Sequence, residues 1–227
     1  MKPSEPSKRA SPATRARGRP PKNEASHGET RASLIRAGVA ILTEKGYSSV
    51  GLDEILSSVS VPKGSFYYYF ESKAAFGHAL IDAYADYFAR KLDHWLTNEA
   101  RAPLQRLKDF IEDAKEGMAR HGFRRGCLVG NLGQEMGALP EPFRAQLVAV
   151  LADWQMRTAR CLRQAQQEQY LAGDADCERL AAFFWIGWEG AVLRAKLEHS
   201  AEPLDTFADG FFSALSAHSH RRPASSV

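Results

Sequence analysis

From Ser26 almost to the end of this 227-residue chain, apolar residues recur three and four positions apart, and only Gly, Pro and small polar clusters interrupt them. No stretch alternates apolar and polar residues as a half-buried strand would. The pattern predicts an all-α fold, because each segment carries one stripe that only a neighbouring helix can cover. With 44% hydrophobic residues the sequence can fill one large domain, or a small one joined to a larger.

The first three segments are short and differently punctuated. Ser26 and Glu29 have capping-box spacing, and Leu34, Ile35, Ala37, Gly38, Ile41 and Leu42 share one face until Lys45-Gly46 closes the helix. Gly51 is placed to cap a second helix, with Asp53 and Glu54 in its first turn and Leu52, Ile55, Leu56 and Val59 as its apolar side. Ser60-Val61 makes a tight turn, and Pro62 suits the first position of a third helix, KGSFYYYF. Two short helices joined by such a turn behind a longer one form a helix-turn-helix, whose second helix lies in the major groove of DNA. Phe66 and Phe70, four apart, then face the core. Lys63, Gly64, Ser65, Tyr67, Tyr68 and Tyr69 are left for phosphates and base edges. On the residues alone, an aromatic helical hairpin with a surface lysine is the other reading.

Charge supports a nucleic-acid partner. Residues 1–22 carry Lys2, Lys8, Arg9, Arg15, Arg17, Arg19 and Lys22 against Glu5 alone, while the whole chain is only +3. This arm, residues 1–25, is rich in Pro, Ser and Ala and is expected to be disordered. Its RGRP, Arg17 to Pro20, looks like an AT-hook core for a narrow minor groove; a solubilising tail is the alternative. No run is long and apolar enough to span a membrane and the N-terminus has no secretory apolar region, so a cytoplasmic protein is expected. Cys127, Cys161 and Cys177 suggest neither a disulfide framework nor a metal site, and no cofactor is implied.

The segment from Glu29 to about Lys73 resembles the DNA-binding domain of the TetR family of transcriptional repressors. Gly46-Tyr47, Glu54-Ile55, Val61, Lys63-Gly64, Tyr67, Phe70 and Ser72-Lys73 match the family pattern in type and spacing. Gly51, Ser60, Pro62 and Tyr69 depart from it, which leaves the operator sequence open. The resemblance implies a homodimer on operator DNA, released by a small-molecule inducer. It assigns DNA contacts to Ser49, Gly51, Pro62 and Lys73 beside those already named. It also implies a helix-turn-helix domain at 26–73, a ligand-binding and dimerisation domain at 74–218, and a disordered tail at 219–227.

Within that larger domain, helices are predicted from the Ser72 cap to about Trp95, then at about 104–121, 127–136, 143–169, 176–199 and 204–217. The fourth should carry Phe76, Leu80, Tyr84, Tyr87, Phe88, Leu92 and Trp95 on one stripe. Gly187, Ala191 and Ala195 are small at every fourth position, and with Phe183, Phe184, Phe207 and Phe211 they suit either a two-fold interface or close packing within one subunit.

HGFRRGCLVGNLGQEMG (121–137) and FFWIGWEGAVLRAKLE (183–198) resemble the regulatory domains of two TetR subgroups, the acrylate-responsive repressors and, more distantly, the repressors of N-ethylmaleimide reductase. Cys127 follows two arginines at an expected helix start, where a thiol should have a lowered pKa; a small buried residue is the alternative. The expected cavity is bounded by Cys127, Trp154, Trp185 and Trp188, with Asn131, Gln134 and Lys196 as polar partners for a small acid. Reversible binding of the acid and covalent modification of Cys127 both fit. A cysteine enzyme with His121 as base lacks an orienting acid and an oxyanion site.

Overall fold

The computed structural model describes residues 24–219, and among them there are nine helices and no strand. Arg17, Arg19 and the rest of RGRP lie outside the described residues. The helices are α1 (Glu24–Lys45), α2 (Leu52–Ser58), α3 (Lys63–Tyr69), α4 (Lys73–Leu96), α5 (Pro103–Ala119), α6 (Leu128–Gln134), α7 (Pro142–Gln167), α8 (Cys177–Glu198) and α9 (Glu202–Ser219).

Local chemistry sets most of these boundaries. The Ser72 hydroxyl accepts the Ala75 N–H at 3.0 Å to start α4, and Asp176 does the same for α8 through the Arg179 N–H at 3.0 Å. Pro103 and Pro142 open α5 and α7, where a missing N–H costs nothing. Three expectations need correction. α1 begins at Glu24, so Ser26 is inside the helix rather than capping it, and residues 24 and 25 belong to α1 rather than to the arm. Pro62 is the cap of α3 and not its first residue, since its ψ of 144° is extended.

α7 packs between α4 and α8, α5 covers α4 and α7, and α9 lies on α8. An aromatic cluster fills the centre. Trp154 of α7 and Trp185 of α8 are fully buried with ring centroids 5.0 Å apart, and Phe88 of α4 approaches Trp154 at 4.4 Å. Such pairs add roughly 0.5–1.5 kcal/mol beyond their buried area. At the end of the bundle farthest along α4, the buried Arg106 donates to the carbonyls of Leu96 and Arg101 and, at 2.7 Å, to Gln164. One guanidinium thereby ties the last turn of α4 to the start of α5 and the end of α7. At the other end of α4, Phe76 packs against Phe66 and Phe70 of the α3 segment at 5.5 and 4.7 Å.

Candidate nucleic-acid interface and effector cavity

The turn between α2 and α3 is built as the sequence suggests. The Val61 N–H reaches back to the Leu56 carbonyl at 3.0 Å, and Ser60 takes the left-handed conformation (φ 54°) that the turn demands. Gly51 caps α2 without a side-chain bond. Phe66 and Phe70 are buried, so α3 turns its other side outward. Pro62, Lys63, Gly64 and Ser65 are exposed, as are Tyr67 and Tyr68, at 57% and 70%. Tyr69 is half-buried and meets the edge of His27 of α1. Lys63 pairs with Asp53 at 3.1 Å; both are exposed, so the pair is worth little and yields readily to a phosphate. The exposed Ser49 spends its hydroxyl on the Lys45 carbonyl.

Lys73 is differently placed from the expectation. Its ammonium is bonded to the carbonyls of Val50 (2.7 Å) and Tyr47 (3.2 Å) and lies 4.5 Å from the Tyr47 ring centroid. It braces the loop before α2 instead of reaching outward. That loop is held from two further sides. The Tyr47 ring packs edge-on against Phe143 of α7. The Glu135 carboxylate, just past α6, accepts the N–H groups of Tyr47 at 2.9 Å and Ser48 at 2.6 Å. Gly46 makes this possible, because its φ is +84° and a Cβ there would collide with the Glu135 carboxylate. The sequence reading missed Glu135; nothing local marks it, since its partners lie almost ninety positions away.

The other end of α6 opens a cavity. A space of about 230 Å³ is enclosed by Tyr84, Tyr87 and Phe88 of α4, Met118 of α5, Cys127, and Trp188, Glu189 and Val192 of α8. Tyr87, expected on the buried stripe of α4, is more than half exposed and forms part of this wall. Arg120, His121 and Arg125 line the same space, and the His121 ring nitrogen is 3.4 Å from Arg125. The volume is below the ~300–1,000 Å³ usual for drug-sized ligands, so a molecule of a few heavy atoms suits it.

Cys127 does cap α6, its Sγ accepting the Gly130 N–H at 3.4 Å, but its environment is the reverse of the expected one. Burial and the neighbouring Glu189 push the thiol well above its usual range, with the buried Tyr84 also beside it. Arg124 and the cavity-lining Arg125 approach Glu44 at 3.8 and 3.9 Å. The expected thiolate is therefore disfavoured. Burial also raises Glu189, to about 7. This residue was not singled out, yet it is the one acid in the otherwise uncharged FFWIGWEGAVL, 183–193.

Other expected cavity residues are elsewhere. Trp154 and Trp185 belong to the core, with the Trp185 indole N–H donated to Thr158 at 3.0 Å; only Trp188 reaches the cavity. The Asn131 amide donates to the Leu42 and Thr43 carbonyls at 3.0 Å each, closing the end of α1. Lys196 approaches the same Thr43 carbonyl, and burial lowers its pKa. Asn131, the exposed Gln134 and Lys196 line an adjoining cleft of about 10 Å³, which shares Gly126, Cys127, Glu189 and Val192 with the cavity and has room for no more than a water.

Comparison with known proteins agrees with this architecture. Residues 34–80 match the family described as bacterial regulatory proteins, tetR family, and residues 103–211 match the tetracyclin repressor-like C-terminal domain. The transcriptional regulator AcuR of Cereibacter sphaeroides is 63% identical over 179 residues, 79% of this chain and 82% of that protein. The chain belongs to the TetR family. The HTH-type transcriptional repressors DhaR of Mycobacterium sp. and NemR of Escherichia coli are 32% and 28% identical, over 82% and 81% of this chain and 91% and 92% of their own lengths. A crystal structure of a regulatory protein TetR from Rhodobacter sphaeroides superposes with a TM-score of 0.78 at 63% identity, covering 79% of this chain and 95% of that one. The reduced form of E. coli NemR gives 0.75 at 27% identity, covering 82% and 96%. This chain is thus a helix-turn-helix DNA-binding transcriptional regulator of the TetR family, and its relatives are regulators rather than enzymes. No helix among the described residues is long and apolar enough to cross a membrane.

Most residues of the small stripe and its aromatic neighbours pack within one subunit, the second of the two roles their spacing allows. Phe184, Ala191, Ala195 and Phe211 are buried within the single chain, and Phe207 packs directly on Gly187. The small-residue stripe therefore seats α9 on α8. The outward side of α8 carries Phe183, Ile186, Gly190, Arg194 and Leu197 instead, with Phe183, Ile186 and Leu197 exposed at 53%, 73% and 71%.

Proposed function

We propose that this chain is a homodimeric repressor that leaves operator DNA when a small unsaturated acid, with acrylate as the type molecule, binds reversibly in the cavity between α4, α5 and α8. The observation that carries the reading is the course of α6. Its first residues cap against the cavity through Cys127, and Glu135 at its far end grips the Tyr47 and Ser48 amides that lead into α2. α4 supplies a second route, since Tyr84, Tyr87 and Phe88 form a cavity wall and Phe76 near its start carries Phe66 and Phe70. A ligand that fits the cavity better in one placement of these helices shifts the spacing of the two reading heads, and one with equal affinity for both placements does nothing.

The size of the cavity and the arginines and histidine along it favour a small anion, in line with the resemblance to acrylate-responsive repressors. Each α3 would enter a major groove, the two spaced by about one turn of DNA, ~34–36 Å. A cytoplasmic location follows from that partner. Covalent sensing through Cys127 is the second reading; the buried, poorly ionised thiol weighs against it.

The test is operator release followed by fluorescence anisotropy. Acrylate releases the DNA, propionate competes, Cys127→Ser retains most of the response, and treated protein carries no added mass. Loss of release in Cys127→Ser together with an adduct on Cys127 would move the mechanism to the covalent form. Failure of small acids and electrophiles alike would remove the inducer assignment altogether.

A further inference from the structure

The cavity holds one acid whose charge has no counter-ion. Among the described residues Glu189 makes no salt bridge, and its carboxyl lies beside Cys127 and close against Gly130, where a Cβ would strike it. The groups around it offer no positive charge within bonding reach. From α4 it faces the neutral, buried Tyr84, while Lys91 on the same helix is paired to Asp113 at 2.6 Å. From the 120–127 segment come Cys127, His121, and Arg120 and Arg125, the arginines bound to Glu116 and Glu44. On its own helix Lys196 lines a small adjoining cleft together with Glu189, makes no salt bridge to it, and approaches the Thr43 carbonyl at 3.4 Å. Beside Phe88, Trp188 and Val192, an ionised carboxylate at this position would be both desolvated and repellent to the carboxylate of an entering acid.

We propose that Glu189 is the specificity-determining residue of the cavity, protonated in the complex and donating its O–H to the carboxylate of the bound acid, so that wherever Glu189 is ionised in the free protein each inducer molecule is taken up together with one proton from solvent. The inference rests on the reading of this cavity as the inducer site. It makes the protein a sensor of a small acid and of pH at once: the ionised acid meets a neutral donor at the floor, where the hydrogen bond to a charged acceptor is short and strong. As Glu189 titrates at about 7, the same acid binds progressively less well on the alkaline side.

Isothermal titration of the full chain with acrylate and with propionate, between about pH 6 and about pH 8.5, decides the matter, because both ligands stay ionised throughout that range. Affinity is expected to fall about tenfold per pH unit above the Glu189 pKa, and titrations in buffers of different ionisation enthalpy should report close to one proton taken up per ligand there. Glu189→Gln keeps an N–H donor and should bind with an affinity that no longer depends on pH, whereas His121→Gln should keep the wild-type slope. A flat wild-type profile with no proton uptake overturns the proposal, as does a slope that survives in Glu189→Gln or vanishes in His121→Gln. No binding of either acid at any pH overturns the proposal and, unlike those outcomes, the reading of the cavity with it.

Discussion

The Glu135 carboxylate accepts the Ser48 amide N–H at 2.6 Å across 87 positions of sequence, and this bond joins the end of α6 to the first residues of the reading head. Its second oxygen takes the Tyr47 N–H, so one side chain holds two successive peptide groups. Hydrogen bonds to charged groups contribute about 1.5–3 kcal/mol, enough to transmit a displacement of α6 rather than absorb it. Glu135→Ala is expected to weaken operator binding by on the order of tenfold and to leave release by acrylate incomplete at saturation. The affinity of the DNA-free protein for acrylate should stay within about twofold. A variant that is released as fully as the wild type would show that α6 is not a route of coupling.

The exposed face of α3 divides its work. Lys63→Ala should weaken binding to every DNA and lower the log-log salt slope by about 1, because the lysine answers to phosphate. Asp53→Asn frees that lysine and should tighten binding to all sequences modestly. Tyr68→Ala, which removes the most exposed aromatic of the helix, should instead change which operators are preferred. Equal losses at all operator variants for Lys63→Ala and Tyr68→Ala would reject this division.

Ser60 holds a left-handed conformation that costs an ordinary L-residue about 1–2 kcal/mol. Ser60→Gly relieves it, partly offset by greater freedom of the unfolded chain, for a net gain of about 0.5–1 kcal/mol. Calorimetry should register a rise in Tm of roughly 2 °C. An unchanged or lower Tm would mean that the turn is not strained.

Glu189 binds a proton in the folded chain at pH values where the unfolded chain has released it. Its folded pKa of about 7 lies above the ordinary carboxylate value. Its contribution to stability is therefore complete at low pH and is lost as pH rises through about 7. Glu189→Gln should raise Tm relative to wild type at pH 8 and leave the two alike at pH 4. A benefit of the same size at both pH values would contradict the assignment.

Ile186→Asp alters a residue that is 73% exposed in the single chain, so the fold of each subunit should survive. Light scattering should report a monomer, and operator affinity should drop at least a hundredfold as the second reading head is lost, in keeping with effective-concentration gains of ~10²–10⁴. A dimer of unchanged stability would place the subunit contact elsewhere.

The sequence was most informative where structure is set locally. Helical periodicity, the Ser72 cap and the core positions of Phe66 and Phe70 all follow from neighbours within one or two turns. α8 shows where this stops, because both its sides are apolar: spacing alone does not say whether Gly187, Ala191 and Ala195 or Phe183, Ile186 and Leu197 face outward. Cys127 lines the cavity and is buried, as one of its two readings has it, but the lowered thiol pKa fails for a related reason. The arginines and the helix start are adjacent in sequence, but the thiol's neighbours, Glu189 and Tyr84, arrive from α8 and α4. Trp154 and Trp185 were assigned to the cavity because aromatic walls and aromatic cores have the same spacing; three-dimensional packing put only Trp188 there.

Arg106 gives the bundle a direction. Because its guanidinium fastens the last turn of α4 to α5 and α7, that end of α4 is a fixed point, while the end that bears Phe76 is held to α7 through His78 and Gln146 and carries the reading head through Phe66 and Phe70. A small widening at Tyr84, between the two, would then tilt the Phe76 end against α7, as a beam held at both ends turns at its supports when it is pushed at the middle.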